Sequence, residues 1–286
     1  MIDCHVHIRE FSVKKENLIS ELQSVGGEGA ILLSLPPESY SNIKKSYSFK
    51  KRLANVCDWC KNSEILYPFL WIDPLDENVL LQIEEACKSH IMGFKIICDR
   101  FYPSHPTCIK VLHYIAKKKK PVIFHSGILW DCKVSSKYNR PIEFECLLEI
   151  TNLKFALAHI SWPWCDELIA LYGKFLHSSS VDIENSPEMF IDTTPGTPAL
   201  YREEVLKKLY QTGYDIEDNL IFGLDSRADM YNSDWAKDWI FRDTEILRNL
   251  DCSEEKIKKY FSQNLKRFLG INNQSLNKKI PVVGCN

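Results

Sequence analysis

Asp3, His5 and His7 sit at spacings of two in the opening run Met-Ile-Asp-Cys-His-Val-His-Ile. Side chains alternate along a strand, so a strand here would set these three on one face and seat Ile2, Cys4, Val6 and Ile8 on the other. Two imidazoles and a carboxylate sharing a face suit a metal ion, because neutral imidazole nitrogen is the commonest metal ligand in proteins. An HxH pair alone describes two ordinary histidines equally well. Other strand candidates end on groups of the same kind: Lys95, His125 in Val-Ile-Phe-His-Ser-Gly, His159 and Asp225. Taken singly, His159 reads as a hydrogen-bonded core histidine and Asp225 as a helix cap. Burying all of these groups without a cation would be expensive, at roughly 1–3 kcal/mol for each unpaired polar group and more for a charge. A divalent metal removes that cost. His90, His105, His113 and His177 fall in predicted helices or loops and read as surface residues.

The elements that would position these groups recur along the chain. Apolar, β-rich runs at 2–7, 30–35, 65–72, 92–97, 122–125, 153–159, 189–193 and 220–225 predict eight strands. Charged, periodic segments at 13–25, 76–89, 108–119, 164–175 and 201–212 predict helices between them, and 233–249 and 253–269 predict two more after the last strand. Nearly continuous apolar strands belong to a parallel sheet covered on both faces. Eight β/α units fit a closed barrel, whereas a doubly wound sheet would usually carry a Gly-rich phosphate loop after its first strand, where this chain has His5-Val6-His7. The expected fold is therefore an α/β, (β/α)8 TIM barrel, distorted, with extra C-terminal helices. In such a barrel the C-terminal strand ends converge on one mouth, which is where the reactive side chains fall. One domain is expected over 1–270, followed by a polar tail, 271–286.

Composition narrows the function. The chain has 286 residues, 36 of them basic and 38 acidic, for a net charge of −2, and apart from Lys117 to Lys120 neither sign dominates a long stretch. Nucleic acid is not an expected partner. The lysine run closes a predicted helix before Pro121, where cations suit a helix C-terminus. The opening residues show no signal peptide and the eleven cysteines are scattered, which predicts a reducing, cytoplasmic setting. Cys57-Asp-Trp-Cys60 has the spacing of a zinc or redox pair but lies in a predicted helix without a second such pair, and reads as structural. No apolar run is long enough to span a membrane. The expected partner is a small-molecule substrate, with a homo-oligomer left open.

The pattern of HxH, Lys, His, His and Asp on the first, fourth, fifth, sixth and eighth strands resembles the amidohydrolase superfamily of metal-dependent barrel hydrolases, over Met1 to about Gly270. His159-Ile-Ser-Trp-Pro-Trp and Asn264-Leu-Lys-Arg-Phe-Leu-Gly270 look like its amidohydrolase-related branch, which contains hydrolases, lactonases and non-oxidative decarboxylases. The resemblance implies that His5, His7, His125 and Asp225 hold one ion, most often zinc, with His159 beside it as acid, base or electrophile. It also implies that Lys95, if carbamylated, bridges a second metal with His159. His7-Ile-Arg9 is similar to the HxHxR segment of dihydroorotases, whose arginine grips a substrate carboxylate; a guanidinium pairs with carboxylate in bidentate fashion. Arg9 could equally pair with Glu10 or another surface acid.

The leading expectation is hydrolysis of an amide, cyclic amide, ester or lactone by a metal-activated water, since a bound ion lowers the pKa of water to about 7. Asp225 would ligate the metal and move the proton, while His159 or the ion stabilises the oxyanion. A metal-dependent non-oxidative decarboxylase of an aromatic or unsaturated acid, and a non-catalytic metal-containing binding barrel, are the alternatives. Trp130, Trp162 and Trp164 follow the fifth and sixth strands and could wall the pocket, with Trp162 the expected substrate contact. Core packing explains them nearly as well. The loops Thr193-Thr-Pro-Gly-Thr-Pro198 and Ser226-Arg-Ala-Asp-Met-Tyr231 suggest no chemistry of their own.

Overall fold

The computed structural model describes residues 1–40, 46–182 and 184–271. Its strands are β1 Ile2–His7, β2 Gly29–Leu33, β3 Leu66–Trp71, β4 Gly93–Ile96, β5 Val122–Phe124, β6 Lys154–Leu157, β7 Glu188–Asp192, β8 Leu220–Ile221 and β9 Ser226–Arg227. All pair in parallel, in the order β8-β7-β6-β5-β4-β3-β2-β1-β9. The last two are halves of one strand interrupted around Asp225. β8 pairs with β7, β9 pairs with β1, and between them the Cys4 amide donates to the Phe222 carbonyl at 3.0 Å. The sheet closes on itself as an eight-stranded barrel, which removes the exposed sheet edges.

Helices coat the outside: α1 Lys15–Ser24, α2 Phe49–Cys60, α3 Val79–Lys88, α4 Pro106–Lys117, α5 Cys165–Val181, α6 Ala199–Gln211 and α7 Ser233–Asn249. In α4, Cys108, Val111, Leu112 and Ile115 recur at helical spacing and are buried in the layer between helices and sheet. His105 caps this helix through its ring nitrogen, which accepts from the Thr107 amide at 3.2 Å, and Pro106 needs no partner at the first position. The fifth unit departs from the β/α pattern. Between β5 and β6 the chain makes 3-10 turns, Ser136–Asn139 and Pro141–Glu149, in place of an α-helix. Side chains satisfy part of that backbone, as where Glu167 accepts from the Ile142 amide at 2.9 Å.

After α7 come α8 Glu254–Lys258, a π-helical turn Lys259–Gln263 and α9 Asn264–Leu269. Leu265, Phe268 and Leu269 of α9 pack against Ile2, Phe69 and Phe190 inside the barrel, with the Phe268 ring 5.0 Å from Phe190. Lys154 and Glu188, the first residues of β6 and β7, both contact Arg267 of α9. The C-terminal helix thus plugs the end of the barrel opposite the mouth. Of the expected tail, 272–286 lies outside the described residues. No helix among the described residues is long and apolar enough to cross a membrane, and their ten cysteines are free.

β1 breaks the expected alternation. Asp3 pairs with Ala30 but Val6 pairs with Leu32, so β1 spends one residue more than β2 over the same rise. Such a bulge re-aims the side chains beyond it. Ile2 and Cys4 face the barrel interior with Ile31, Phe69 and Ile123, whereas Val6 and Ile8 join the layer beneath the helices. Asp3 therefore does not share a face with His5 and His7.

Candidate metal centre

His5, His7 and Asp225 converge at the mouth, and each offers one ligand atom such that all of these lie within 4.8 Å of one another. His7 Nε2 is 3.3 Å from Asp225 Oδ1, and His5 Nε2 is 3.9 Å from the same oxygen. Both histidines are buried, while the Asp225 side chain is 36% exposed through the mouth. Burial holds the His7 imidazole down to about 3, against the pull of Asp225, so it is neutral near pH 7. Burial pushes the Asp225 carboxyl up, but the His7 hydrogen bond and the nearby His159 and His5 outweigh it, and the group stays ionised well below the usual carboxylate range. Two imidazoles and an ionised carboxylate are a donor set that fits a divalent ion such as zinc.

Asp192, the last residue of β7, braces this group. Its Oδ2 lies 2.6 Å from His5 Nδ1, and both side chains are fully buried. A carboxylate there only accepts, so Nδ1 carries the proton and Nε2 presents its lone pair to the other ligands, the arrangement that orients metal-bound histidines. The other Asp192 oxygen accepts from the Thr194 amide at 2.8 Å. Burial pushes the Asp192 carboxyl up, yet the His5 contact wins and the group is held strongly down. Thr194 in turn meets His159 Nδ1 through its hydroxyl at 3.0 Å. Neither Asp192 nor Thr194 stood out in the sequence, although an aspartate closing Phe190-Ile191-Asp192 occupies a strand end like the others. The loop 193–198, which suggested no chemistry, holds His159 a second way: a Cβ on Gly196 would lie 2.6 Å from His159 Cβ.

Asp3 has a different role from the one its spacing suggested. Its Oδ1 accepts from the His5 and Leu224 amides, each at 3.0 Å, and its Oδ2 from the Tyr231 hydroxyl at 3.2 Å. It thereby ties β1 to the residue before Asp225. Backbone strain concentrates here too, with left-handed φ at His159 (64°), Ile160 (47°), Ser161 (52°) and Asp225 (52°). Such conformations cost about 1–3 kcal/mol each for non-glycine residues and persist where the surroundings over-determine them. Ser126 supplies one brace, donating to the Ala158 carbonyl at 2.6 Å and meeting the Ser161 hydroxyl at 2.8 Å.

The remaining expected residues surround this group. Lys95 is fully buried with Nζ 3.5 Å from His5 Nε2. Burial draws its ammonium down to about 8 despite Asp192 and Asp225. The His159 ring is centred 5.2 Å from His5 and 5.0 Å from His125, and burial lowers its imidazole to about 4. His125 stands outside the group of three: its Nε2 donates to the Ile128 carbonyl at 3.2 Å. Arg9 is exposed and forms no ion pair among the described residues; the acid beside it, Glu10, is 3.9 Å from Arg227 instead. Trp162 is half-buried and stacks on Tyr201 at 4.8 Å, at the rim. Trp130 is exposed and Trp164 half-buried. Trp71, at the end of β3, lies 6.1 Å from His7 and 4.8 Å from Tyr40, ring to ring. A groove of about 350 Å³ opens directly from Asp225 and is lined by Pro195, Arg227, Met230, Asn232 and Trp235. Another, of about 410 Å³, involves Leu80, Ile109 and Tyr114 on the outer helices, away from every strand end. His90, His105, His113 and His177 are exposed.

No known family model matches the chain, and no curated protein is similar to it. Solved structures are similar. An uncharacterised TIM-barrel protein from Bordetella bronchiseptica is 13% identical with a TM-score of 0.69, over 94% of this chain and 98% of that one. A 2,6-dihydroxybenzoate decarboxylase is 13% identical with a TM-score of 0.62, over 94% and 97%. Dihydroorotase from Campylobacter jejuni is 15% identical with a TM-score of 0.57, over 95% and 83%. At such identities the likeness is one of fold: this chain is a (β/α)8 barrel of the kind on which that decarboxylase and that dihydroorotase are built.

Proposed function

We propose that the protein is a metal-dependent hydrolase of the amidohydrolase type, cleaving an amide, cyclic amide, ester or lactone bond in a small, carboxylate-bearing substrate. The observation that carries this reading is the convergence of His5, His7 and Asp225, drawn from opposite ends of the barrel strand order, with their ligand atoms within 4.8 Å and His5 locked in one tautomer by Asp192. These three would hold one ion, most simply zinc, and His125 would join them on releasing the Ile128 carbonyl. Lys95 and His159 would serve a second ion only with the lysine carbamylated. When bound, the metal supplies a water acidified to a pKa of about 7.

The chain's own residues do the rest. Asp225, ionised and open to the mouth, is placed to accept a proton from the attacking water and return it to the leaving group. His159, held by Thr194, faces the same centre and stabilises negative charge developing on the substrate. Arg9, exposed and without an ion-pair partner among the described residues, receives the substrate carboxylate, and Trp162 and Trp71 offer apolar wall. Non-oxidative decarboxylation is the rival, since one protein of this fold is a 2,6-dihydroxybenzoate decarboxylase.

The deciding experiment measures metal content of the purified protein, then offers the zinc-loaded form a panel of carboxylate-bearing lactones, cyclic amides and aromatic acids. Solvolysis with zinc dependence is the expected result. Carbon dioxide release without solvolysis would transfer the protein to the decarboxylases, metal binding without turnover would make it a binding barrel, and failure to bind a divalent ion would end the proposal.

A further inference from the structure

Four side chains from four separate segments form one fully buried polar chain outside the barrel. Arg202 of α6 makes a bidentate pair with Asp243 of α7, Nε to Oδ1 at 2.9 Å and Nη2 to Oδ2 at 2.7 Å. Tyr260, in the π-helical turn, donates to Asp243 Oδ2 at 2.6 Å and accepts from Arg202 Nη2 at 3.1 Å. With that phenol proton committed to Asp243, the Thr193 hydroxyl, 2.8 Å from the Tyr260 oxygen, shares its proton between that oxygen and the Ile221 carbonyl, 3.1 Å away. None of the four is exposed. Burial of this kind is weak support for stability, because well-packed apolar residues often serve as well or better than an enclosed ion pair. Arg202 even leaves Nη1 without a partner among the described residues and rests its guanidinium 5.1 Å over Trp239. The explanation lies in what the chain ends on.

Thr193 stands between Asp192, which bonds His5, and Thr194, which bonds His159. Adjacent Cα atoms are only about 3.8 Å apart, so a shift of Thr193 moves both neighbours. Its hydroxyl leads away from the mouth, to the Ile221 carbonyl of β8 and through Tyr260 to two outer helices. π-helical turns recur at functional sites, and this one presents the Tyr260 hydroxyl to β7.

We infer that Tyr260 and Thr193 are positioning residues for the candidate metal centre: the Arg202–Asp243–Tyr260–Thr193 chain fixes the end of β7 so that Asp192 and Thr194 keep His5 and His159 aimed inward. The inference rests on the metal-centre reading above. Tyr260→Phe and Thr193→Val each remove one hydroxyl while preserving shape, and Thr193→Ser restores it. Tyr172→Phe is the control, since that tyrosine of α5 is also buried but its hydroxyl donates to the Asp215 carbonyl at 2.7 Å and not to any of the four residues.

Zinc affinity of each full-length protein is read by competition with a chromophoric chelator, alongside thermal unfolding of the metal-free form. Tyr260→Phe and Thr193→Val are expected to weaken zinc binding about tenfold, the low end of the effect of outer-shell partners. Thr193→Ser and Tyr172→Phe are expected to stay within about twofold of wild type. The double variant should lose no more than either single one, as for residues acting in series. Unchanged affinity in Thr193→Val overturns the inference even if Tyr260→Phe does not fold, and so does an equal loss in Tyr172→Phe. Wild-type protein that binds no zinc overturns this inference together with the metal-centre reading, whereas normal zinc binding by wild type and both variants overturns this inference alone.

Discussion

Asp192→Asn isolates the role of one carboxylate without changing its shape. Asp192 accepts two hydrogen bonds at once, from His5 Nδ1 at 2.6 Å and from the Thr194 amide at 2.8 Å. Asparagine has a single acceptor oxygen. If that oxygen stays on the Thr194 amide, the new NH2 faces His5 and forces its proton from Nδ1 to Nε2, where it blocks the metal lone pair. If the oxygen turns to His5, two N–H groups confront each other at Thr194 in a site with no solvent. Supporting carboxylates of metal-bound histidines contribute roughly 10–100-fold in affinity, or about 1.4–2.8 kcal/mol at tenfold per 1.4 kcal/mol. Zinc affinity by chelator competition should fall within that range, with far-ultraviolet circular dichroism unchanged. An affinity within about twofold of wild type would show that His5 needs no orienting partner and would refute the tautomer argument.

Three other changes probe separate parts of the molecule. Asp225→Asn should retain the fold and reduce turnover of any substrate found by about 100-fold or more, the usual contribution of a positioned general base; full activity in steady-state assays would remove its proton-transfer role. Arg9→Leu should raise KM about tenfold or more for carboxylate-bearing substrates while sparing uncharged analogues, since a charged hydrogen-bonded contact is worth roughly 1.5–3 kcal/mol. Equal effects on both substrate types would argue against carboxylate recognition. Phe268→Ala, which empties the barrel plug where the ring meets Phe190 and Phe69, should cost roughly 3–5 kcal/mol in urea unfolding; a loss below about 1 kcal/mol would mean that α9 is not an integral part of the core.

Strand positions were readable because the strands of a doubly covered parallel sheet are buried on both faces and appear as short apolar runs, as at 66–71 and 220–221. The polar residues that end them were readable for the same reason: a histidine or lysine closing such a run contradicts its surroundings. What was hidden depended on backbone detail. The extra residue between Asp3 and Val6 leaves no mark in composition, yet it separates Asp3 from the histidines two and four places on. Left-handed backbone at Ile160, a β-branched residue, runs against every local preference and is set by the surrounding loops. Asp192 was missed because its partner is 187 positions away, a pairing that only barrel closure creates.

The interruption at Asp225 has a mechanical consequence. Two residues of β8 pair on one side, two of β9 pair on the other, and Phe222 to Asp225 lie in the gap. This is the seam at which the cylinder is joined, and it has the shortest ladders in the sheet. An ion shared by His5, His7 and Asp225 would act as a clasp across it, linking the first strand to the last. Removing the ion should then loosen the wall here first, with amide hydrogen exchange rising at Leu224, Asp225 and Ser226 while β3 to β6 stay protected. With an ion bound, holding those three side chains together and holding the cylinder shut would become the same task.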